Sequence, residues 1–159
     1  MRTLMIAVLF LLTGCMAVYQ PIPEGYSGEI ATITDSFANK GNSKADYFML
    51  TQIDGNTIES SWGATRSRNY GGGFAFTPAI ISRDVPTQNL TLTLTGMVFF
   101  PTDAQAMFGK TLKVEGTFSF SPEANEVYTV NGELSKDASK VWLEDSSGTV
   151  VSKVFEEIH

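Results

Sequence analysis

The sequence predicts an all-β domain, an antiparallel β-sandwich of immunoglobulin-like or transthyretin-like type with about eight or nine strands and one short helix near 102–108. Three observations predict it. Apolar residues alternate with period two from Glu29 onward, most plainly in Asn89–Thr95 (NLTLTLT). Turn-forming clusters punctuate these runs every 8 to 12 residues or so. The composition, with 14 glycines and 11% aromatic residues, favours strands and turns over helices.

Taken in order, Phe48–Ile53 and Thr57–Trp62 flank Asp54-Gly55-Asn56, the signature of a hairpin. Leu90, Leu92 and Leu94 fall on one face of the next strand, with Thr91, Thr93 and Thr95 on the other. Pro101-Thr102-Asp103 before Ala104–Phe108, closed by Gly109, predicts a helical turn or two capped by Thr102 or Asp103. Leu112, Val114, Phe118 and Phe120 alternate around Gly116, and Tyr128, Val130 and Leu134 alternate around Gly132. Ser121–Asn125 supplies the turn between those two strands, and Asp145–Gly148 joins a final pair, Lys140–Glu144 and Thr149–Phe155. Val141, Trp142 and Leu143 put apolar side chains on both faces. That strand is expected either to be two-sided core or to carry an outward, partner-binding Trp142.

At 159 residues the chain has length for one domain with one core, and no internal repeat or second compositional regime divides it. Its formal net charge is −6; without a leader containing Arg2, 10 positive residues face 17 negative ones, giving −7. Such a balance offers phosphate backbones and anionic headgroups no long-range attraction, so nucleic acid is not an expected partner.

The first residues carry their own signal. Arg2 precedes Leu4–Leu12, a nine-residue apolar run, and then Thr13, Gly14 and Cys15, the single cysteine. A run this short cannot span a bilayer, which needs about 20 apolar residues, but it fits the h-region of an export signal. With the small pair and the cysteine behind it, Leu12-Thr13-Gly14-Cys15 resembles the lipobox of bacterial lipoproteins. The resemblance implies a signal peptide at 1–14, cleaved before Cys15, and a diacylglycerol group on the Cys15 thiol. It further implies acylation of the new amine. Met16, where Asp would signal retention in the inner membrane, implies the periplasmic face of a Gram-negative outer membrane. Residues 15–28, with two prolines and no period, are expected to form a lipidated tether to a sandwich at 29–159. Tyr19, Ile22 and Tyr26 offer an alternative in which the tether docks on the domain. The run Val127–Glu133 leading to Val141–Asp145 and Gly148–Val151 is similar to small envelope lipoproteins, a likeness that names no activity.

Signals for catalysis are sparse. His159 is the single histidine and closes the chain, where order is not expected, and Cys15 is assigned to lipid. No G-x-S-x-G, S-x-x-K or P-loop pattern occurs. Glu123/Glu126, Glu144/Asp145 and Glu156/Glu157 are the acid pairs that a glycan hydrolase could use, which keeps an envelope-polymer hydrolase as the alternative function. Asp54–Thr57 and Glu144–Ser147 carry oxygen ligands without the spaced acids of a calcium loop, so no metal and no cofactor beyond the lipid is expected.

One stretch stands apart. Ser61–Phe76 gathers Trp62, Arg66, Arg68, Tyr70 and Gly71, Gly72 and Gly73 in an otherwise acidic chain, with Arg83 close behind. Guanidinium forks suit carboxylate or phosphate, and aromatic faces stack on sugars or peptides. The expectation is a binding loop on a non-catalytic, lipid-anchored envelope module whose partner is an envelope protein, peptide or glycan. The competing reading makes Trp62 and Phe74/Phe76 core, the arginines solvated partners of local acids, and the glycines a long hairpin connection.

Overall fold

A computed structural model describes residues 19–73 and 75–159, and its strands form two facing sheets. The elements are β1 (Ile30–Thr34), β2 (Ser36–Ala38), β3 (Ala45–Ile53), β4 (Asn56–Thr57), α1 (Ser61–Arg68), β5 (Ser82–Pro86), β6 (Leu90–Phe99), α2 (Asp103–Phe108), β7 (Lys113–Phe120), β8 (Val127–Leu134), β9 (Ala138–Glu144) and β10 (Phe155–Ile158). One sheet runs β10-β9-β8-β1-β5; the other runs β2-β3-β6-β7, with β4 paired to β3. The fold is therefore an all-β sandwich. Its strand pairings are antiparallel except β1 with β8, which run parallel.

Period two works as expected in β6. Leu90, Leu92 and Leu94 point between the sheets and are almost wholly buried. On its other face Thr95 pairs its hydroxyl with Thr51 at 2.9 Å, and Thr93 pairs with Thr117 at 2.9 Å. In β3 the period vanishes because both faces are covered. Phe48 and Leu50 join the inter-sheet core, while Ala45, Tyr47 and Met49 join a second cluster on the outer face with Phe76 and Phe99. The two sheets approach closely where side chains are missing. The Phe155 ring from one sheet lies where a Cβ on Gly116 of the other would sit, and Phe48 does the same over Gly132.

The Asp54-Gly55 hairpin forms as read, with Asp54 at φ 51° and Gly55 at φ 77°, the pair of positive angles a two-residue I′ turn demands. Other expectations need correction. Residues 57–62 do not form a strand: β4 stops at Thr57, and Ser61–Arg68 is a helix, so the described residues hold two helices where one was expected. The start of α1 is set by Ser60, whose Oγ accepts from Gly63 N–H at 3.4 Å. The outer face of β3 must be covered, and α1 covers it although its sequence carries little amphipathic signal. The last hairpin also differs. Residues 149–154 form only an isolated bridge, Val150 with Glu144, rather than a strand; beyond it the Ser152 hydroxyl takes the Leu143 N–H at 2.8 Å in place of a ladder partner. Trp142 settles between the two readings, half-buried with its indole N–H on Glu144 at 2.6 Å. Tyr19 packs against the core, so the described part of the tether lies along the domain.

A buried polar knot closes the fold. Asp35 sits where the chain leaves β1 in one sheet and enters β2 in the other. Its Oδ1 accepts from Leu50 N–H at 3.0 Å and from Arg83 Nη1 at 2.8 Å. Its Oδ2 accepts from Ser61 N–H at 3.0 Å and from Arg83 Nη2 at 3.0 Å. The Arg83 and Asp35 side chains are 9% and 0% exposed. Arg83, read from the sequence as an outlier of the binding stretch, is instead this structural partner.

Removing one member of such a pair leaves the other charge buried and unmatched, a loss of about 3–5 kcal/mol. Asp35→Ala should fall at the upper end, because it also orphans the Leu50 and Ser61 amides, and Arg83→Ala at the lower. Chemical denaturation midpoints at constant m-value check this; a loss below about 1 kcal/mol for Asp35→Ala would refute the role.

Candidate functional site

Trp62, Arg66 and Arg68 are presented by α1 rather than by a loop, and Tyr70, Gly71, Gly72 and Gly73 come after it as the exposed turn. Helix α1 lies across the outer face of the β3 sheet. Trp62 meets Phe99 edge-on at 5.9 Å, and its backbone N–H points at the Met49 sulfur at 3.2 Å. Its buried indole N–H has no hydrogen-bond partner among the described residues. Trp62 and Phe76 are thus packing residues, as the competing reading had it; Phe74 lies outside the described residues. Deeper in, the Tyr47 hydroxyl and Thr65 hydroxyl share a hydrogen bond at 2.8 Å, and Thr65 Oγ1 also accepts from Ala79 N–H at 2.9 Å.

The arginines diverge. Arg66 stacks over Trp62, its guanidinium carbon 5.4 Å from the ring, and bonds Asp103 at the start of α2 at 2.8 Å. Arg68 is exposed and reaches the Pro78 carbonyl at a long 3.4 Å. Asn69 organises the turn behind the helix. Its Nδ2 donates to the carbonyls of Thr65 at 2.7 Å and Thr77 at 2.9 Å, and its Oδ1 accepts from Thr77 N–H at 2.8 Å. These bonds close the turn at its base and push its tip outward, where Tyr70 is 93% exposed. Gly71 and Gly73, both at φ 77°, occupy backbone conformations that would strain any other residue.

Between this tip and the start of α2 lies an open cleft of about 390 Å³, lined by Arg66, Asn69, Tyr70, Gly71, Gly73, Pro101, Thr102 and Asp103. It offers one phenol face, one guanidinium partly neutralised by Asp103, and exposed backbone. Sequence reading missed Asn69 and Asp103, the residues that hold the cleft's two walls. An Asn directly after a helix and before a glycine run was the available signal for the first.

The acid pairs lie elsewhere, and in each at least one carboxylate is engaged locally. Glu144 receives Trp142 and Asn131, and Glu156 pairs with Lys140 at 3.4 Å. The Ser147 hydroxyl and the Thr149 amide hold the Asp145 carboxyl below its usual range, and the Ser146 hydroxyl and amide do the same for Glu126. His159 is seated against β9: its Nε2 meets the Ser139 hydroxyl at 2.7 Å, and its backbone N–H donates to the Asp137 carbonyl. Ser139 is fully buried, so this contact pins the chain end to β9. Among the described residues no three His, Cys, Asp or Glu side chains converge, and no helix is long and apolar enough to cross a membrane. Cys15 lies outside the described residues.

Burial pushes the Tyr47 phenol above its ordinary pKa, outweighing the opposing Thr65 bond. A folded pKa above the unfolded one gives stability that is complete below about pH 10 and lost as pH rises through the folded value. Alkaline titration should therefore release α1 as Tyr47 ionises, with tyrosinate absorbance and loss of stability rising together. Tyr47→Phe should abolish this component; an unchanged alkaline profile would count against it.

No family model, curated protein or solved structure matches this chain.

Proposed function

We propose that the protein is a non-catalytic, lipid-anchored module of the cell envelope. In this reading it is held by Cys15 at the periplasmic face of a Gram-negative outer membrane, and it binds an envelope protein, peptide or glycan at the α1–α2 cleft. The observation that carries the proposal is the order of the first fifteen residues: Arg2, a nine-residue apolar run, Thr13-Gly14, then the single cysteine. A core or catalytic cysteine has no reason to stand in that order. Each buried CH₂ of an acyl chain contributes about 0.8 kcal/mol, so two or three chains hold almost permanently.

The short leash supports the same reading. Tyr19 is seated on the domain, four positions after Cys15. That interval spans about 14 Å when extended. The sandwich then works within the first layers beside its bilayer. At the cleft, Tyr70 supplies a stacking face and Arg66 a guanidinium, with Arg68 exposed on the same helix, a pairing that suits a sugar ring or peptide carrying a carboxylate or phosphate.

Cys15→Ser should abolish incorporation of labelled palmitate and leave the precursor uncleaved. Equal labelling of the variant would sink the anchor. Arg66→Ala with Arg68→Ala should remove at least about 90% of the crosslinked partner recovered from native envelopes, with folding and membrane fraction unchanged. Full recovery from the double variant would place binding elsewhere.

A further inference from the structure

The fold sorts charge that the sequence mixes. At the end of the sandwich where β3 begins and β6 ends, Lys44, Lys110 and Lys136 line one cleft of about 320 Å³, and the Lys110 ammonium donates to the Lys136 carbonyl at 3.3 Å. Lys40 stands in the same 39–44 turn. Of the acids at this end, Asp46 lines the same cleft, buried and bonded to Asn39 at 2.7 Å, and Asp103 is paired with Arg66, while Asp137 and, near the ends of β8 and β10, Glu133 and Glu157 are exposed. The turns at the opposite end, 24–29, 54–55, 87–89, 121–126 and 145–148, hold Glu24, Glu29, Asp54, Glu123, Glu126 and Asp145 and no lysine or arginine. In a chain of net charge −6, the turns 39–44, 100–112 and 135–137 at this pole thus carry four lysines against Asp103 and Asp137.

At the basic pole α2 exposes Met107 and Phe108 at 81% and 91%. None of its six residues is buried, and the helix is held by a capping box: Thr102 Oγ1 accepts from Gln105 N–H at 3.3 Å and Gln105 Oε1 from Thr102 N–H at 3.2 Å. The adjacent apolar pair therefore faces outward instead of joining either core cluster. Two large apolar side chains projecting from a short helix at the end of the sandwich that holds the lysine-lined cleft form the pattern of an interfacial lipid contact. We infer that this pole docks directly on an anionic phospholipid surface, with Met107 and Phe108 among the acyl-chain roots and Lys44, Lys110 and Lys136 on the headgroup phosphates. Charge complementarity selects this occupant: the long-range repulsion expected from net charge acts on the far pole, while the near pole is attracted within a Debye length.

The inference does not need the Cys15 lipid, and its test keeps the two apart. The purified full chain carrying Phe108→p-benzoylphenylalanine is illuminated with phosphatidylcholine vesicles containing roughly a third phosphatidylglycerol, or none, at low and high salt. Phospholipid adducts at position 108 are expected with the anionic vesicles and should fall at high salt. The same probe at Asn56, on the acidic pole, should give none. Lys44→Glu, Lys110→Glu and Lys136→Glu together should cut the yield at position 108 at least about tenfold. Equal adducts at 56 and 108, an absence of lipid adducts, or yields indifferent to phosphatidylglycerol would each overturn the inference. Crosslinks at 108 to a protein in native envelopes, with no lipid adduct in vesicles, would reassign the surface to a protein partner. Lipid on Cys15, read separately from the mass of its peptide, reports on the anchor alone.

Discussion

One carboxylate organises the sandwich. Asp35 is the hinge at which the first strand changes sheets, and its two oxygens gather donors from β3, from the first residue of α1 and from β5. A strand that crosses between sheets leaves main-chain groups without ladder partners, and buried amides must be matched. Beyond the end of β2 the Leu50 amide is such a group, at the point where the β3–β6 register shifts. Meeting it with a carboxylate introduces a buried charge, which Arg83 then matches in bidentate form. The position of α1 is set in the same way, because that carboxylate fixes where the helix begins.

The second consequence is a two-storey core. The large cluster between the sheets resembles that of any sandwich, but Tyr47, Met49, Phe76 and Phe99 form another on the outside of the β3 sheet. Covering it takes the whole of α1 and the segment after it, and the exposed tip from Tyr70 to Gly73 is a by-product of that cover. The candidate cleft is therefore built on a packed floor. Its shape depends on Asn69 and on the Tyr47–Thr65 bond as well as on the glycines themselves.

How much of this was legible in the sequence depends on how local each feature is. The strands β6, β7 and β8 and the Asp54-Gly55 turn are encoded by neighbours two residues apart, and α2 by a cap three residues away; all were readable. Helix α1 was not, since Gly63 disfavours it and its inward residues, Ser61 and Thr65, are polar. It is chosen by the outer face of β3, a partner more than ten residues distant. Asp35 with Arg83, 48 positions apart, was invisible for the same reason, and so was the sorting of lysines to one pole. Trp62 could be read as core or as ligand contact from composition alone; only Phe99 beneath it decides.

The parallel pairing of β1 with β8 has a mechanical side. Strand β1 lies inside its sheet, bonded to β8 on one edge and β5 on the other, and it is the first strand that the N-terminal segment feeds. Tension directed along that strand loads both rows of hydrogen bonds at once, in shear, instead of peeling them singly. A domain tugged by its leading segment thus resists through the middle of a sheet, so the pull must break many bonds together before the first strand gives way.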